Sequence, residues 1–183
     1  SAVFWFDLLL LLLILGLMLV GFQTGIVRQA LNLFGLFLGL LVASAYQARV
    51  SRAVTGIVGA SGQLLRESLI FLLILATIWA LVYLGVRYGF REARLPVAQT
   101  ADRLLGMLLG TINGLFWCLV LILVVGFMTS VPWPNYDGLR QGLQNGLAAS
   151  ALRPTILQAL PAVGDALEPL IPGGLPPIFH QNV

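Results

Sequence analysis

Phe6-Asp7-Leu8-Leu9-Leu10-Leu11-Leu12-Leu13-Ile14-Leu15-Gly16-Leu17-Met18-Leu19-Val20-Gly21-Phe22-Gln23-Thr24-Gly25 decides the architecture, because one ionisable side chain is followed by an unbroken apolar run that water could not solvate. Three more such runs follow: Ile26 to Tyr46, Leu69 to Tyr88 and Leu104 to Met128, each with at most one charge. About 20 helical residues at roughly 1.5 Å rise cross the hydrocarbon layer, so each run has the length of one transmembrane helix. The expected fold is therefore all-α. It comprises a four-helix transmembrane domain over residues 1–131, with spans at about 3–22, 26–46, 68–89 and 103–128, followed by a tail over 132–183.

Composition agrees with lipid as the main solvent. Of 183 residues, 59% are apolar and 9% charged, too few charges to cover a water-soluble domain of this size. The net charge of +3 comes from ten arginines and no lysine, scattered over the loops, which argues against a nucleic-acid partner. The first run lacks a positive leader, carries Asp7 near its start and is longer than a signal-peptide core, so it is read as a span. Ala43-Ser44-Ala45 resembles a cleavage site but follows a second complete run, and is read as the tail of a helix.

Gly21-Phe22-Gln23-Thr24-Gly25 is short enough that the first two helices are expected to form an antiparallel hairpin. From Gln47 to Ser68 a short surface helix or shallow re-entrant turn is expected around Thr55-Gly56-Ile57-Val58-Gly59. Leu95-Pro96 ends the third helix, Thr100 or Asp102 is expected to N-cap the fourth, and Trp133 marks the interface beyond it. The tail is broken by prolines, yet Leu139, Leu143 and Leu147, then Ile156, Leu160, Val163, Leu167 and Leu170, recur every three or four residues. Two or three short amphipathic helices follow, and they are expected to pack on the bundle or on a partner, with the membrane interface as the alternative.

Arg28, Arg87, Arg91, Arg94 and Arg103 flank the first and third loops, against Arg49, Arg52, Arg66 and Arg140 on the other face. Five against four makes the first face cytoplasmic and places both termini outside. The same arginines are read as orientation and headgroup anchors.

Gly106, Gly110 and Gly114 form a double G-x-x-x-G stripe, and Gly35 and Gly39 repeat it on the second helix. Such stripes let helix backbones approach, within the chain or with another copy or membrane protein. Asp7, Asn32, Thr77 and Asn113 are the polar side chains nearest the interior of the spans. They are read as interhelical glue before an ion path. His180, the sole histidine, lies in the proline-rich tail, so no buried histidine ligates haem, and Cys118 reads as a small core residue. The chain shows no His-Glu-x-x-His, Gly-x-Ser-x-Gly or phosphate-loop motif. No enzyme, cofactor or metal site is expected.

Four pieces in order carry a resemblance: Phe6-Asp7-Leu8; Gly21-Phe22-Gln23-Thr24-Gly25-Ile26-Val27-Arg28; Asp102-Arg103-Leu104-Leu105-Gly106-Met107-Leu108-Leu109-Gly110; and Ser150-Ala151-Leu152-Arg153-Pro154. Together they resemble the bacterial colicin V production protein family from about Phe6 to Ile171. Gln23-Thr24 departs from the basic residues frequent in that hairpin, and the proline-rich end after Ile171 has no counterpart. The resemblance implies an inner-membrane protein tied to toxin export and envelope homeostasis, with no established catalytic residue. Related four-span modules precede a serine protease domain in some actinobacterial proteins, an activity not carried over here. The rival expectations are an accessory subunit of a larger membrane complex and a small oligomeric channel.

Overall fold

The computed structural model describes residues 4–58, 63–89, 99–130, 132–133 and 136–171, and among them every regular element is helical. Four long helices, α1 (Phe4–Thr24), α2 (Ile26–Val58), α3 (Gln63–Gly89) and α4 (Gln99–Thr129), precede three short ones. These are α5 (Asp137–Ala148), α6 (Arg153–Leu157) and α7 (Leu160–Leu167), closed by a 3₁₀ turn at Glu168–Leu170. All four long helices are long and apolar enough to cross a membrane. Their outward faces carry Leu12, Leu73 and Leu81 at 61%, 68% and 62% exposure, which only lipid tolerates in such number.

α4 is the centre of the bundle. Half of its apolar window is buried, against 22% for α1 and for α3. α1 packs chiefly on α4, and α2 packs chiefly on α3 while also touching α4. The expected tight reversal between α1 and α2 is present, but the pair is not packed along its length. The two helices join at the single residue Gly25, whose φ of +81° reverses the chain at little cost only for glycine, but they share little surface. Gly25 donates its N–H to the Gly21 carbonyl at 3.0 Å and accepts from Gln29 N–H at 3.2 Å, so the turn stays hydrogen-bonded throughout.

Contacts between α1 and α4 step along an antiparallel seam. The Cys118 thiol reaches the Leu10 carbonyl at 3.6 Å, Gly114 lies against Ile14, Gly110 against the Leu17 carbonyl, and Gly106 against Gly21 and Gly25. Asp102, Gly106, Gly110, Gly114 and Cys118 recur at every fourth residue, so the glycine stripe read from sequence is the middle of a longer small-residue row. Lipid supplies no hydrophobic drive for helix association, so close backbone contact and dispersion hold this seam. Gly35 and Gly39 serve the other pair. They receive Val82 and Leu75 of α3, and both stripes are used within the chain.

The helices overrun the expected span limits, most of all in α2. No break occurs at Tyr46: the helix runs on to Val58, and Arg49, Val50, Ser51 and Arg52 are helical, in place of a re-entrant turn. Gln47-Ala48 offers no helix breaker, and Arg49 lies 5.5 Å from the Tyr46 ring centre, a stabilising contact between neighbouring turns. Arg91, Arg94, Pro96 and His180 lie outside the described residues.

Each tail helix puts one apolar row on the bundle. Leu147, Ile156, Val163 and Leu167 are buried in the same core as Phe6, Leu10 and Leu123. Leu139 and Leu170, which share the periodicity, stay exposed. α4 ends under a dense cap: Trp133 Nε1 donates to the Met128 carbonyl at 3.0 Å, and Arg140 Nη1 to the Thr129 carbonyl at 3.2 Å. These satisfy carbonyls that the helix itself leaves open and set a cation at its negative end.

A methyl group on Gly106 would sit 2.8 Å from the Gly25 Cα, whereas one on Gly16 would meet nothing within 4 Å. Gly106→Ala should destabilise the protein by about 1–3 kcal/mol and Gly16→Ala should be neutral or slightly stabilising, read from thermal melts in detergent. Equal melting of the two variants would refute the seam as the stabilising contact.

Candidate functional site

Two carboxylates hold the bundle at opposite ends of α1. Asp7, in the first turn of α1, accepts the Ser150 hydroxyl hydrogen bond together with the Ala151 N–H at 3.0 Å and the Leu152 N–H at 3.3 Å. Ser150 Oγ in turn accepts the Arg153 N–H at 3.2 Å, and Pro154, in the first turn of α6, has no N–H to satisfy. Asp7 thus caps a chain segment 143 residues away. It is 7% exposed. Protein donors thus surround this carboxylate, and the contact it makes joins α1 to the tail.

At the other end, Asp102 Oδ1 accepts the Ile26 N–H at 3.0 Å, at the start of α2. The helix begins at Gln99, so neither Thr100 nor Asp102 is its N-cap, and the carboxylate serves a different helix instead. Its side chain is 5% exposed and packs against Gly25, where any Cβ would collide with it. The interhelical reach follows from sequence position: an aspartate beginning the small-residue row faces the helix that the row packs against. Outside that contact, Arg103 lies 5.8 Å from the Phe22 ring centre, again joining α4 to the end of α1.

The two clamps also fix which ends share a side. The tail meets the start of α1, and the start of α4 meets the α1–α2 turn, so α1 and α4 run antiparallel and the connections alternate between faces.

Of the remaining polar residues, Asn32 and Asn113 are buried among the helices and Thr77 is not. Asn32, 3% exposed, donates Nδ2 to Gln29 Oε1 at 3.2 Å, and Gln29 donates Nε2 to the Leu17 carbonyl at 3.4 Å, joining α2 to α1. Asn113 is 1% exposed, and its Oδ1 has no protein partner; neither has Asn32 Oδ1 or Trp79 Nε1. Thr77 faces outward and donates to the Leu73 carbonyl at 2.7 Å, so it lines nothing. Gln29, Ser44, Gln47, Ser51 and Ser68 are buried polar residues that the sequence reading did not single out. For the four on α2 the signal is a spacing of three or four residues within two groups, 29 and 32, then 44, 47 and 51, separated by the Gly35 and Gly39 stripe, whereas Ser68 lies on α3. Among the described residues no cluster of His, Cys, Asp or Glu could hold a metal ion.

Outside the spans, Asp137 is held below the usual carboxylate range by the 2.7 Å bond from Arg140 Nε, and Gln141 donates to its other oxygen. That pairing steers Arg140 toward the end of α4.

The four sequence pieces are now two contacts: the aspartate of α1 with Ser150–Pro154, and the turn at Gly21–Ile26 with Asp102–Gly110. The family model described as colicin V production protein matches residues 6–161. The chain belongs to the colicin V production protein family. It is a multi-pass membrane protein of that family, built as four long apolar helices with a docked helical tail. The match begins at Phe6, beside the Asp7 clamp, and ends at Pro161 in α7, so it includes both carboxylates and their partners. No curated protein and no solved structure matches the chain.

Hydrogen bonds to a charged group contribute roughly 1.5–3 kcal/mol each. Asp7→Ala should therefore raise amide hydrogen exchange at Ala151 and Leu152 by about ten-fold or more while leaving Ile26 protected, and Asp102→Ala should do the reverse. Uniform loss of protection in both variants would show that the clamps are not separate.

Proposed function

We propose that this protein is a non-enzymatic helper of export and envelope homeostasis in the bacterial cytoplasmic membrane, acting through contacts with other proteins. The observation that supports this reading is the docked tail. Asp7 binds the backbone of Ala151 and Leu152, and α5–α7 bury one row on the bundle, so the tail is a fixed ledge over the ends of α1 and α4. Tyr136, Leu139 and Leu170 remain on its outer side at 68%, 60% and 50% exposure. An ordered ledge with apolar side chains at a membrane boundary suits a partner protein, because the ordering entropy of the ledge is already spent before association. In this reading the ledge lies on the extracytoplasmic side with both termini, which the five-to-four arginine balance beside the helix ends supports. Membership of the colicin V production protein family supports export of a peptide toxin as the process assisted.

Deletion of the gene should lower secretion of a peptide toxin and raise sensitivity to detergents, and the wild-type chain should restore both. Asp7→Ala, in which the ledge is released, should restore neither, despite normal membrane insertion shown by fractionation. Unchanged secretion and unchanged detergent sensitivity in the deletion strain would overturn the proposal.

A further inference from the structure

Below the Asp7 clamp, α6 and α7 descend beside α4. Thr155, Ile156, Ala159 and Val163 share a crevice of about 270 Å³ with residues of α4 between Ile112 and Leu119. The α1–α4 seam gives the height of that stretch, because Cys118 meets Leu10 and Gly114 meets Ile14. On α1 the same level carries Leu11, Leu12 and Leu15 at 45%, 61% and 47% exposure, side chains that only lipid solvates. Leu119 itself lies ten residues, about 15 Å of helix, before the end of α4 at Thr129. The crevice therefore lies within the hydrocarbon layer.

The backbone of the tail suits that depth. Pro154 and Pro161, in the first turns of α6 and α7, have no N–H to satisfy. Ile156 N–H donates to the Leu152 carbonyl at 3.0 Å, and the N–H groups of Ala159 and Val163 donate to the Ile156 and Ala159 carbonyls at 3.1 Å each. The break between the two helices is thus bridged by its own hydrogen bonds, as a chain in lipid requires. α7 then climbs back toward the clamp, since Val163 also borders Val120 and Leu123 of α4, together with Leu40 of α2 and Phe71 of α3. Asp165 and Glu168 follow farther along that ascent.

We infer that one acyl chain of a membrane lipid occupies this crevice, held between α4 and the re-entrant α6–α7 pair. Leu119, Ile156 and Val163 form a buried floor, and Leu115, Thr155 and Ala159 an exposed rim, so the crevice is open to its surroundings, which at this height are lipid. All of its lining except Thr155 is apolar, which offers nothing to an ion or a polar solute. Its volume of about 270 Å³ falls below the roughly 300–1,000 Å³ of a site for a drug-sized ligand and suits one slender chain.

The test irradiates the full chain in nanodiscs of phosphatidylethanolamine and phosphatidylglycerol that carry a trace of phosphatidylcholine with a diazirine at mid-chain, and maps the adducts by peptide mass spectrometry. Adducts are expected on the buried floor, at Ile156 and Leu119, as well as on the outward-facing Leu73 of α3. Ala159→Trp, which sets an indole on the rim, should lower the floor adducts several-fold and leave those on Leu73 unchanged. Thr155→Trp, on the same exposed rim, carries the same expectation should Ala159→Trp fail to fold. Native mass spectrometry of the detergent-released chain should show one retained lipid in the wild type and in Leu73→Trp, and none in Ala159→Trp. A wild-type floor that takes no adduct, because a second copy, another membrane protein or the end of the tail fills the crevice, would overturn the inference. So would equal lipid retention by Ala159→Trp and Leu73→Trp.

Discussion

Close approach of α1 and α4 is the constraint from which the other contacts follow. Between Ile14 and Gly25 on one side and Gly106 and Gly114 on the other, glycine lets backbone lie directly on backbone, and at the far end the Cys118 thiol reaches the Leu10 carbonyl. In lipid, apolar surface gains nothing by leaving its surroundings, so helices associate where their packing is denser than acyl chains can match. Glycine at every fourth position supplies that density, and its helix-propensity cost of about 1 kcal/mol per residue is offset by the contacts it permits.

The seam also explains why the two aspartates can act at all. A carboxylate near a membrane needs donors that do not leave, and backbone N–H groups freed by a turn or by a helix start are such donors. Asp102 reaches Ile26 because Gly106 lets the α1–α2 turn lie directly on α4; Asp7 reaches Ala151 and Leu152 because α4 delivers the tail to the start of α1. Each clamp is thus a consequence of the seam as well as its reinforcement. At each end one carboxylate ties a first turn to a distant segment of chain.

The other helix pair is joined differently. α2 and α3 form the second pair, joined through Gly35, Gly39 and buried small polar groups. Glycine thus serves both pairs, with backbone on backbone between α1 and α4 and with side chains of α3 received by glycines of α2. The ledge of the proposed function rests on the α1–α4 pair.

Length and apolarity alone determined that four helices cross a membrane, because the hydrocarbon layer sets the length of a span and forbids unsatisfied backbone within it. The small-residue stripes and the tail's amphipathic rows were legible for the same kind of reason, as helical periodicity places such residues on one face. Partner choice was not legible. A glycine stripe has no side chain to specify its mate, so only the folded chain shows that Gly106 meets Gly21 and Gly25 of α1, while Gly35 meets Val82 of α3. Asp7 and Asp102 looked like ordinary first-turn acids, complementary to their own helix dipoles. Their true acceptor roles depend on segments distant in sequence that packing brings to about 3.0 Å.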